Sequence, residues 1–94
     1  MTFRRVAIIG LGLLGGSIGL AIGKYLPDVR TTGFDANPDS RKRAAERKLT
    51  DKVCDTAAEA VADCDLVIFC VPVGAMGSAA ADVAGTLPAG AVVS

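Results

Sequence analysis

Three glycines with a fixed spacing are the residues of this sequence best suited to holding a ligand. They form the pattern G-x-G-x-x-G at Gly10-Leu11-Gly12-Leu13-Leu14-Gly15. The first glycine permits a tight turn, the second lets a pyrophosphate approach the backbone, and the third lets a helix pack close to a strand. The amides of Leu13 and Leu14 would then face the phosphates at the positive end of the helix dipole. A glycine turn used for packing alone is the alternative.

An acidic residue stands where this motif requires one. Asp35 lies twenty residues beyond Gly15, at the end of a second predicted strand. A carboxylate there accepts hydrogen bonds from the hydroxyls of an adenosine ribose and repels a 2′-phosphate. Asp35 therefore favours NAD over NADP, and we expect the adjoining Ala36 to be a further cofactor-binding residue. Arg41 leaves NADP open as the less favoured cofactor, because an arginine there can stack on adenine or meet a 2′-phosphate. A solvated turn aspartate is the plain alternative.

A third candidate segment lies at the end of the apolar run Leu66–Val71. It consists of Cys70 and Val71, the last residues of the run, and of Pro72 and Val73, which follow it. Ligands of open parallel sheets bind where the strand order reverses, at the carboxyl ends of the strands. We therefore expect these four residues to border the ribose and nicotinamide, although Pro72 is equally consistent with a simple turn.

Helices and strands are predicted to alternate along the chain. The predicted strands are Val6–Ile9, Thr31–Phe34, Val53-Cys54, Leu66–Val71 and a fifth that begins at Ala91. The predicted helices are Leu13–Leu26, a segment from the cap Asn37-Pro38-Asp39 to about Lys48, Thr56–Ala62 and Val73–Ala84. In the first helix the spacing places five apolar residues on one face, namely Leu14, Ile18, Ala21, Ile22 and Tyr25.

This alternation predicts an α/β fold with a doubly wound parallel sheet of the Rossmann type. Right-handed crossovers favour the strand order 3-2-1-4-5. We expect residues 1–94 to form one dinucleotide-binding domain.

A membrane segment is the rival interpretation of the first part of the chain. Val6–Gly23 is a run of eighteen residues without a charge, which is long enough to suggest a membrane helix. Six of the eighteen are glycine, however, and glycine is unfavourable in a helix interior. Because a strand, a turn and a helix account for the same run, we predict a cytoplasmic protein without a membrane anchor.

Composition narrows the chemistry further. The chain has ten basic and ten acidic residues and no histidine, so a histidine base or a histidine metal ligand is excluded within it. The three cysteines show no C-x-x-C spacing and indicate small buried residues in a reducing compartment. The basic cluster Arg41–Lys48 indicates a solvated helix face rather than a nucleic-acid contact, because no aromatic residues interleave with it. We predict no metal site.

Several segments together resemble a known family. These segments are VAIIGLGLLGGSIGLAI, GFDANPDSRKRA, DCDLVIFCVPVGAM and GAVVS. They resemble the prephenate/arogenate (cyclohexadienyl) dehydrogenases of tyrosine biosynthesis. The resemblance covers nearly the whole chain, and its most particular element is Gly15-Gly16-Ser17.

The resemblance implies both an activity and a boundary. Those enzymes use NAD or NADP to take a hydride from the hydroxyl-bearing ring carbon of prephenate or arogenate, and decarboxylation then aromatises the ring. Their catalytic histidine, substrate-binding arginines and dimer interface follow the segment that this chain matches. The resemblance therefore implies a cofactor part with no catalytic residue of its own, belonging to a homodimeric parent.

Two other functions stay open at this point. A β-hydroxyacid or pyrroline-carboxylate type dehydrogenase shares the glycine motif. A nucleotide-sensing regulatory module would also bind the dinucleotide, without chemistry.

Overall fold

The fold is a parallel sheet with helices on both faces, as seen in a computed structural model that describes residues 4–71, 81, 85 and 92–93. The strands are β1 (Arg5–Ile9), β2 (Arg30–Phe34), β3 (Lys52–Val53), β4 (Leu66–Phe69) and β5 (Val92–Val93). The helices are α1 (Leu13–Tyr25), α2 (Pro38–Glu46) and α3 (Ala57–Val61).

The strand order is β3-β2-β1-β4-β5, and every pairing is parallel. This order confirms the prediction of a doubly wound Rossmann-type sheet, with β1 central between β2 and β4. The predicted helix Val73–Ala84 lies outside the described residues apart from Ala81, which is helical, and the predicted strand start at Ala91 also lies outside them.

The sheet divides the core into two apolar clusters. On one face the side chains of Ala7, Ile9 and Val67 pack with α3. On the other face Val6, Ile8 and the half-buried Leu66 and Ile68 pack toward α1 and α2. Burial on both faces is why β1 and β4 are continuous apolar runs without polar alternation.

Most predicted boundaries differ from the structure by one or two residues. Helix α2 ends at Glu46 rather than near Lys48, because Lys48 has a φ of 52° and turns the chain out of the helix. Strand β4 ends at Phe69 rather than Val71, and β3 is Lys52–Val53 rather than Val53-Cys54.

The predicted apolar face of α1 packs only in part. Ile18 and Ile22 lie half-buried against the core, but Leu14 is 66% exposed and Tyr25 is 70% exposed. The buried residues of α1 are Gly15, Gly16 and Gly19, and a Cβ on Gly19 would overlap the carbonyl oxygen of Leu49. The helix therefore approaches its neighbours most closely along glycines, and the remaining residues of the predicted face are exposed.

Helix length bears on the membrane question. Among residues 4–71, 81, 85 and 92–93, no helix is both long enough and apolar enough to cross a membrane. The eighteen-residue uncharged run is divided between β1, a glycine turn and α1.

Candidate functional site

Three parallel strands end at the same level of the sheet. Ile9, the last residue of β1, lies level with Phe34 of β2 and with Phe69 of β4. The N–H of Gly10 donates to the carbonyl of Phe34, and the N–H of Cys70 donates to the carbonyl of Ile9, both at 2.7 Å. The chain segments after these strands, which contain the predicted site residues, are thereby brought together at one edge.

Gly10 makes the turn out of β1. Its φ of 103° lies in the region that side-chain-bearing residues rarely adopt. A Cβ on Gly10 would also lie 2.5 Å from the carbonyl oxygen of Cys70. Both the backbone conformation and the approach of β4 thus require glycine at this position.

Gly15 allows α1 to begin directly over that turn. A Cβ on Gly15 would overlap the carbonyl oxygen of Gly10 and come within 3.4 Å of the Cβ of Cys70. The close helix-to-strand packing predicted for the third glycine is therefore present. Gly10 and Gly15 are fixed by protein contacts alone.

Gly12 is different, because no protein contact explains it. It is the N-cap residue of α1, with an ordinary φ of −72°. Apart from its immediate chain neighbours and the nearby backbone of its own helix, no atom of the described residues lies within 4 Å of the place where its Cβ would be. A small residue is needed there only if something outside the described chain approaches the backbone.

The start of α1 lacks the caps that the other helices have. Asn37 accepts a hydrogen bond from the N–H of Asp39 at the start of α2. Thr56 accepts one from the N–H of Glu59 at the start of α3. In α1 the N-cap is a glycine with no side-chain hydrogen bond, and the first turn contains no acid. This helix start therefore keeps its positive end available to an anion.

The amides that precede the first helical hydrogen bond belong to predicted site residues. The first such bond of α1 runs from the N–H of Gly16 to the carbonyl of Gly12. The preceding residues Leu13 and Leu14 are 92% and 66% exposed. They lie at the open end of the helix, where the glycine motif predicts contact with phosphates.

Asp35 holds the glycine turn in place. Its Oδ2 accepts a hydrogen bond of 2.8 Å from the N–H of Leu11, and its Oδ1 accepts one of 2.9 Å from the N–H of Asn37. The carboxylate is half-buried beside the turn. The two segments that the sequence predicts to share a ligand are thus directly bonded to each other.

Leu11 is the residue of the motif whose side chain faces the core. It is 3% exposed, and its Cδ2 would lie 2.8 Å from a Cβ on Gly33. Its N–H is already donated to Asp35. Leu11 therefore fixes the position of the turn by packing, while its neighbours remain exposed.

Arg41 folds back over the end of β2. Its Nη1 donates a hydrogen bond of 2.8 Å to the carbonyl oxygen of Asp35 and one of 3.4 Å to the carbonyl oxygen of Ala36. Its guanidinium carbon lies 5.5 Å from the centre of the Phe34 ring, a cation–π distance. The cation is thus held next to Asp35, and Ala36 is exposed between them.

The segment after β4 is partly described. Cys70 and Val71 are half-buried beside Gly10, and burial raises the pKa of the Cys70 thiol. Pro72 and Val73 lie outside the described residues. Cys54 and Cys64 are free and buried, and burial is the largest cause that raises the pKa of each thiol.

Gly33 is a contributor to the site that the sequence reasoning did not single out. It lies within β2, where a Cβ would meet both Leu11 and the side chain of Thr50. A glycine inside a strand is a known signal for close approach of another segment, and here that segment is the glycine turn.

The sequence matches the family described as "Prephenate dehydrogenase, nucleotide-binding domain" over residues 18–94. A cyclohexadienyl dehydrogenase of Zymomonas mobilis is 46% identical over 85 residues, which cover 90% of this chain and 29% of the relative. The chain thus spans less than a third of that relative's length.

Solved structures share the same fold. Prephenate dehydrogenase from A. aeolicus, in complex with hydroxyphenyl propionate and NAD+, superimposes with a TM-score of 0.86 at 23% identity, over 99% of this chain and 33% of that one. A 3-hydroxyisobutyrate dehydrogenase of Mycobacterium tuberculosis gives a TM-score of 0.84 at 26% identity, over 98% of this chain and 31% of that one. The fold is therefore common to dehydrogenases with different substrates.

Proposed function

Because this chain belongs to the prephenate dehydrogenase nucleotide-binding domain family, we propose that it binds NAD as the cofactor part of a cyclohexadienyl dehydrogenase. The parent enzyme would oxidise and decarboxylate prephenate or arogenate. The observation that carries the proposal is the uncapped start of α1, which lies beside Asp35 at the carboxyl edge of the sheet.

The pyrophosphate would lie against Gly12 and the amides of Leu13 and Leu14. The empty space at the Gly12 Cβ position lets a phosphate oxygen reach the backbone. The helix dipole adds a favourable interaction with the negative charge. Gly10 and Gly15 support this arrangement by holding the helix start over the end of β1.

The adenosine ribose would lie against Asp35. Its two carboxylate oxygens each accept one backbone N–H, and a carboxylate oxygen has capacity for further donors. A 2′-phosphate in the same place would be repelled by the carboxylate. Arg41 is engaged with the carbonyl of Asp35 and the ring of Phe34, so it would have to leave both to meet a 2′-phosphate. These contacts support NAD rather than NADP.

The remaining parts of the proposal concern the parent enzyme. Bound NAD supplies the hydride acceptor, and the protein's part is to orient it against the substrate. Within residues 4–71, the segment Cys70-Val71 borders the end of β1 and is the described part of the predicted nicotinamide side. We assign no catalytic residue within this chain, and we place the dimer interface and substrate groups in the rest of a cytoplasmic homodimeric parent.

Titration of the isotope-labelled 94-residue chain with NAD, NADP and adenosine monophosphate tests the binding proposal. We expect NAD to shift the amide signals of residues 10–15 and 35 at lower concentration than NADP. Adenosine monophosphate should shift residue 35 with weaker effects at the helix start, because it lacks the second phosphate. If none of the three shifts these amides, the binding proposal is wrong.

The alternative function is a nucleotide-sensing regulatory module. Such a module binds the dinucleotide, but no form of the protein converts a substrate. Joining this chain to the remainder of its parent reading frame and assaying NADH formation with prephenate and with arogenate separates the two functions. Turnover with either substrate supports the proposed dehydrogenase, and binding of NAD without turnover of either supports the sensor or a dehydrogenase for another substrate.

A further inference from the structure

The basic cluster Arg41–Lys48 is divided by the fold into two parts with different surroundings. Arg41 turns toward Phe34 and the end of β2. Arg43 and Arg47 instead line a cavity of about 220 Å³ between α2 and the first half of α1. Lys48 lines an adjoining cavity of about 310 Å³ along the second half of α1.

The two cavities adjoin along α1, since Leu20 and Leu49 line both of them. Together their linings extend from Gly12 to Lys24, which is nearly the whole length of a thirteen-residue helix, or about 20 Å. We call this feature the α1–α2 groove. Its shape suits an elongated occupant.

The floor of the groove is apolar. Gly16 and Gly19 contribute no side chains, and Leu49 packs against both of them. Leu20 is 50% exposed, and Leu13 at the mouth is almost fully exposed. Exposed leucines in a line along one helix are the anchors that a helix-in-groove contact uses.

The rim of the groove is cationic. It carries Lys24, Arg43, Arg47 and Lys48. The ion pair found among the described residues joins Lys52 to Glu59, so none of these four cations has a carboxylate partner there. Asp51 is the acid that lines the groove in the described part of the chain, and its Oδ2 is occupied by the N–H of Thr31.

We propose that the α1–α2 groove docks an acidic amphipathic helix of a partner protein. The leucines of such a helix would lie on Leu20 and Leu49, and its carboxylates would pair with Arg43 of α2 and with Arg47, the residue that caps the end of α2. Charge complementarity identifies the occupant, because an apolar floor between cations that have no carboxylate partner among the described residues favours a ligand with both an apolar stripe and negative flanks. The end of the groove at Gly12 and Leu13 adjoins the proposed position of the pyrophosphate, whereas the proposed contacts at Leu20, Leu49, Arg43 and Arg47 are not among the proposed cofactor contacts.

A synthetic peptide of about fifteen residues tests the proposal, with leucines spaced three and four apart and glutamates on the flanks. We expect the labelled 94-residue chain to show amide shifts at residues 16–24 and 43–49 when this peptide is added. The same peptide with lysines in place of the glutamates should not bind.

Matched variants then locate the contact. Arg43→Glu with Arg47→Glu should weaken the peptide affinity by about tenfold or more, because two attractive pairs become repulsive. Leu20→Ser should weaken it through the apolar floor. Arg30→Glu with Lys42→Glu makes the same change in net charge away from the groove and should leave the affinity within about twofold once salt is near physiological.

Three results would overturn the proposal. One is absence of binding by the acidic peptide, and another is equal weakening by the two double variants, which would indicate non-specific attraction. The third is a shift pattern confined to α3. All four substituted cations are exposed, and an unchanged thermal midpoint would show that the variants remain folded.

Discussion

The N–H of Leu11 donates a 2.8 Å hydrogen bond to Oδ2 of Asp35. This bond joins residues twenty-four positions apart and ties the glycine turn after β1 to the end of β2. The same carboxylate accepts the N–H of Asn37 through its other oxygen. Asp35 therefore organises the candidate site in addition to its proposed contact with the ribose.

Replacement of Asp35 by serine is expected to change both the cofactor affinity and the stability of the fold. NAD affinity should fall by about tenfold or more and NADP affinity by less, because the carboxylate that repels a 2′-phosphate is removed. The unfolding free energy should fall by about 1–2 kcal/mol, since the half-buried N–H of Leu11 loses a charged acceptor. Calorimetric titration and urea unfolding measure the two effects.

Asp55→Ser, in an exposed turn far from the glycines along the chain, is the control for Asp35→Ser. It should leave both cofactor affinities unchanged. An unaltered NAD to NADP affinity ratio in Asp35→Ser would remove Asp35 from the ribose, whereas a changed ratio without loss of stability would contradict its role in holding the turn.

Gly12→Ala should mainly lower the NAD affinity, whereas Gly15→Ala should mainly lower the stability. Gly12→Ala places its methyl in open space and should leave the unfolding free energy within about 0.5 kcal/mol of the parent value. Its NAD affinity should nevertheless fall by about tenfold, because the methyl occupies the approach of the pyrophosphate.

The main effect of Gly15→Ala should be a lower unfolding free energy. Its methyl would overlap the carbonyl oxygen of Gly10, so α1 must shift away from the turn at a cost of about 1–3 kcal/mol. Thermal unfolding and NAD titration of both variants make the comparison. Full NAD affinity in Gly12→Ala would argue against a phosphate at that place.

A third comparison uses two glycines of α1 that are four residues apart. Gly23 is exposed, and no described atom lies within 4 Å of its Cβ position. Gly23→Ala should therefore raise the unfolding free energy by about 0.5–1 kcal/mol, because alanine loses less backbone entropy in a helix.

Gly19→Ala should instead lower the unfolding free energy. Its methyl would overlap the carbonyl oxygen of Leu49 and separate α1 from the chain that follows α2. Urea unfolding curves of the two variants are the measurement. Destabilisation by Gly23→Ala would show that this part of α1 has a close neighbour.

Acid stability should depend on Asp65. Its Oδ2 accepts the N–H groups of Arg4 and Arg5 at 2.9 and 3.0 Å, and these bonds are the main cause that lowers the pKa of Asp65. A carboxyl with a lowered pKa in the folded state stabilises the fold above its unfolded pKa, and this contribution is lost as the pH falls through the folded pKa.

Asp65→Asn should therefore reduce the unfolding free energy at pH 7 and flatten its decline between about pH 5 and pH 2. Urea unfolding across this pH range is the measurement. Asp63→Asn, two residues earlier on an exposed turn, should retain the parent slope. Parallel acid profiles for Asp65→Asn and the parent would contradict the assignment.

The order of the sheet could be predicted because it depends on local patterns. Short apolar runs alternate with helical segments, and the handedness of parallel crossovers then restricts the strand order. The turn at Gly10 and the acid at Asp35 were also predictable, since each directly follows a predicted strand.

The packing face of α1 could be predicted only in part. Helical spacing placed Leu14 and Tyr25 with Ile18 and Ile22; the two isoleucines do pack against the core, yet Leu14 and Tyr25 are exposed. The choice depends on how closely Leu49 and Thr50 approach the helix, and those residues come from a segment far along the chain. Close backbone contact along glycines prevailed over burial of the larger side chains.

The amino-acid sequence thus determined the elements, their order and the glycine and acidic residues at the carboxyl edge, because these follow from local periodicity and spacing. The tertiary structure decided that Leu11 is buried against Gly33, that Asp35 bonds to the glycine turn, and that Arg41 separates from Arg43 and Arg47. These relationships depend on distances between segments that are remote in sequence, and packing in three dimensions sets those distances.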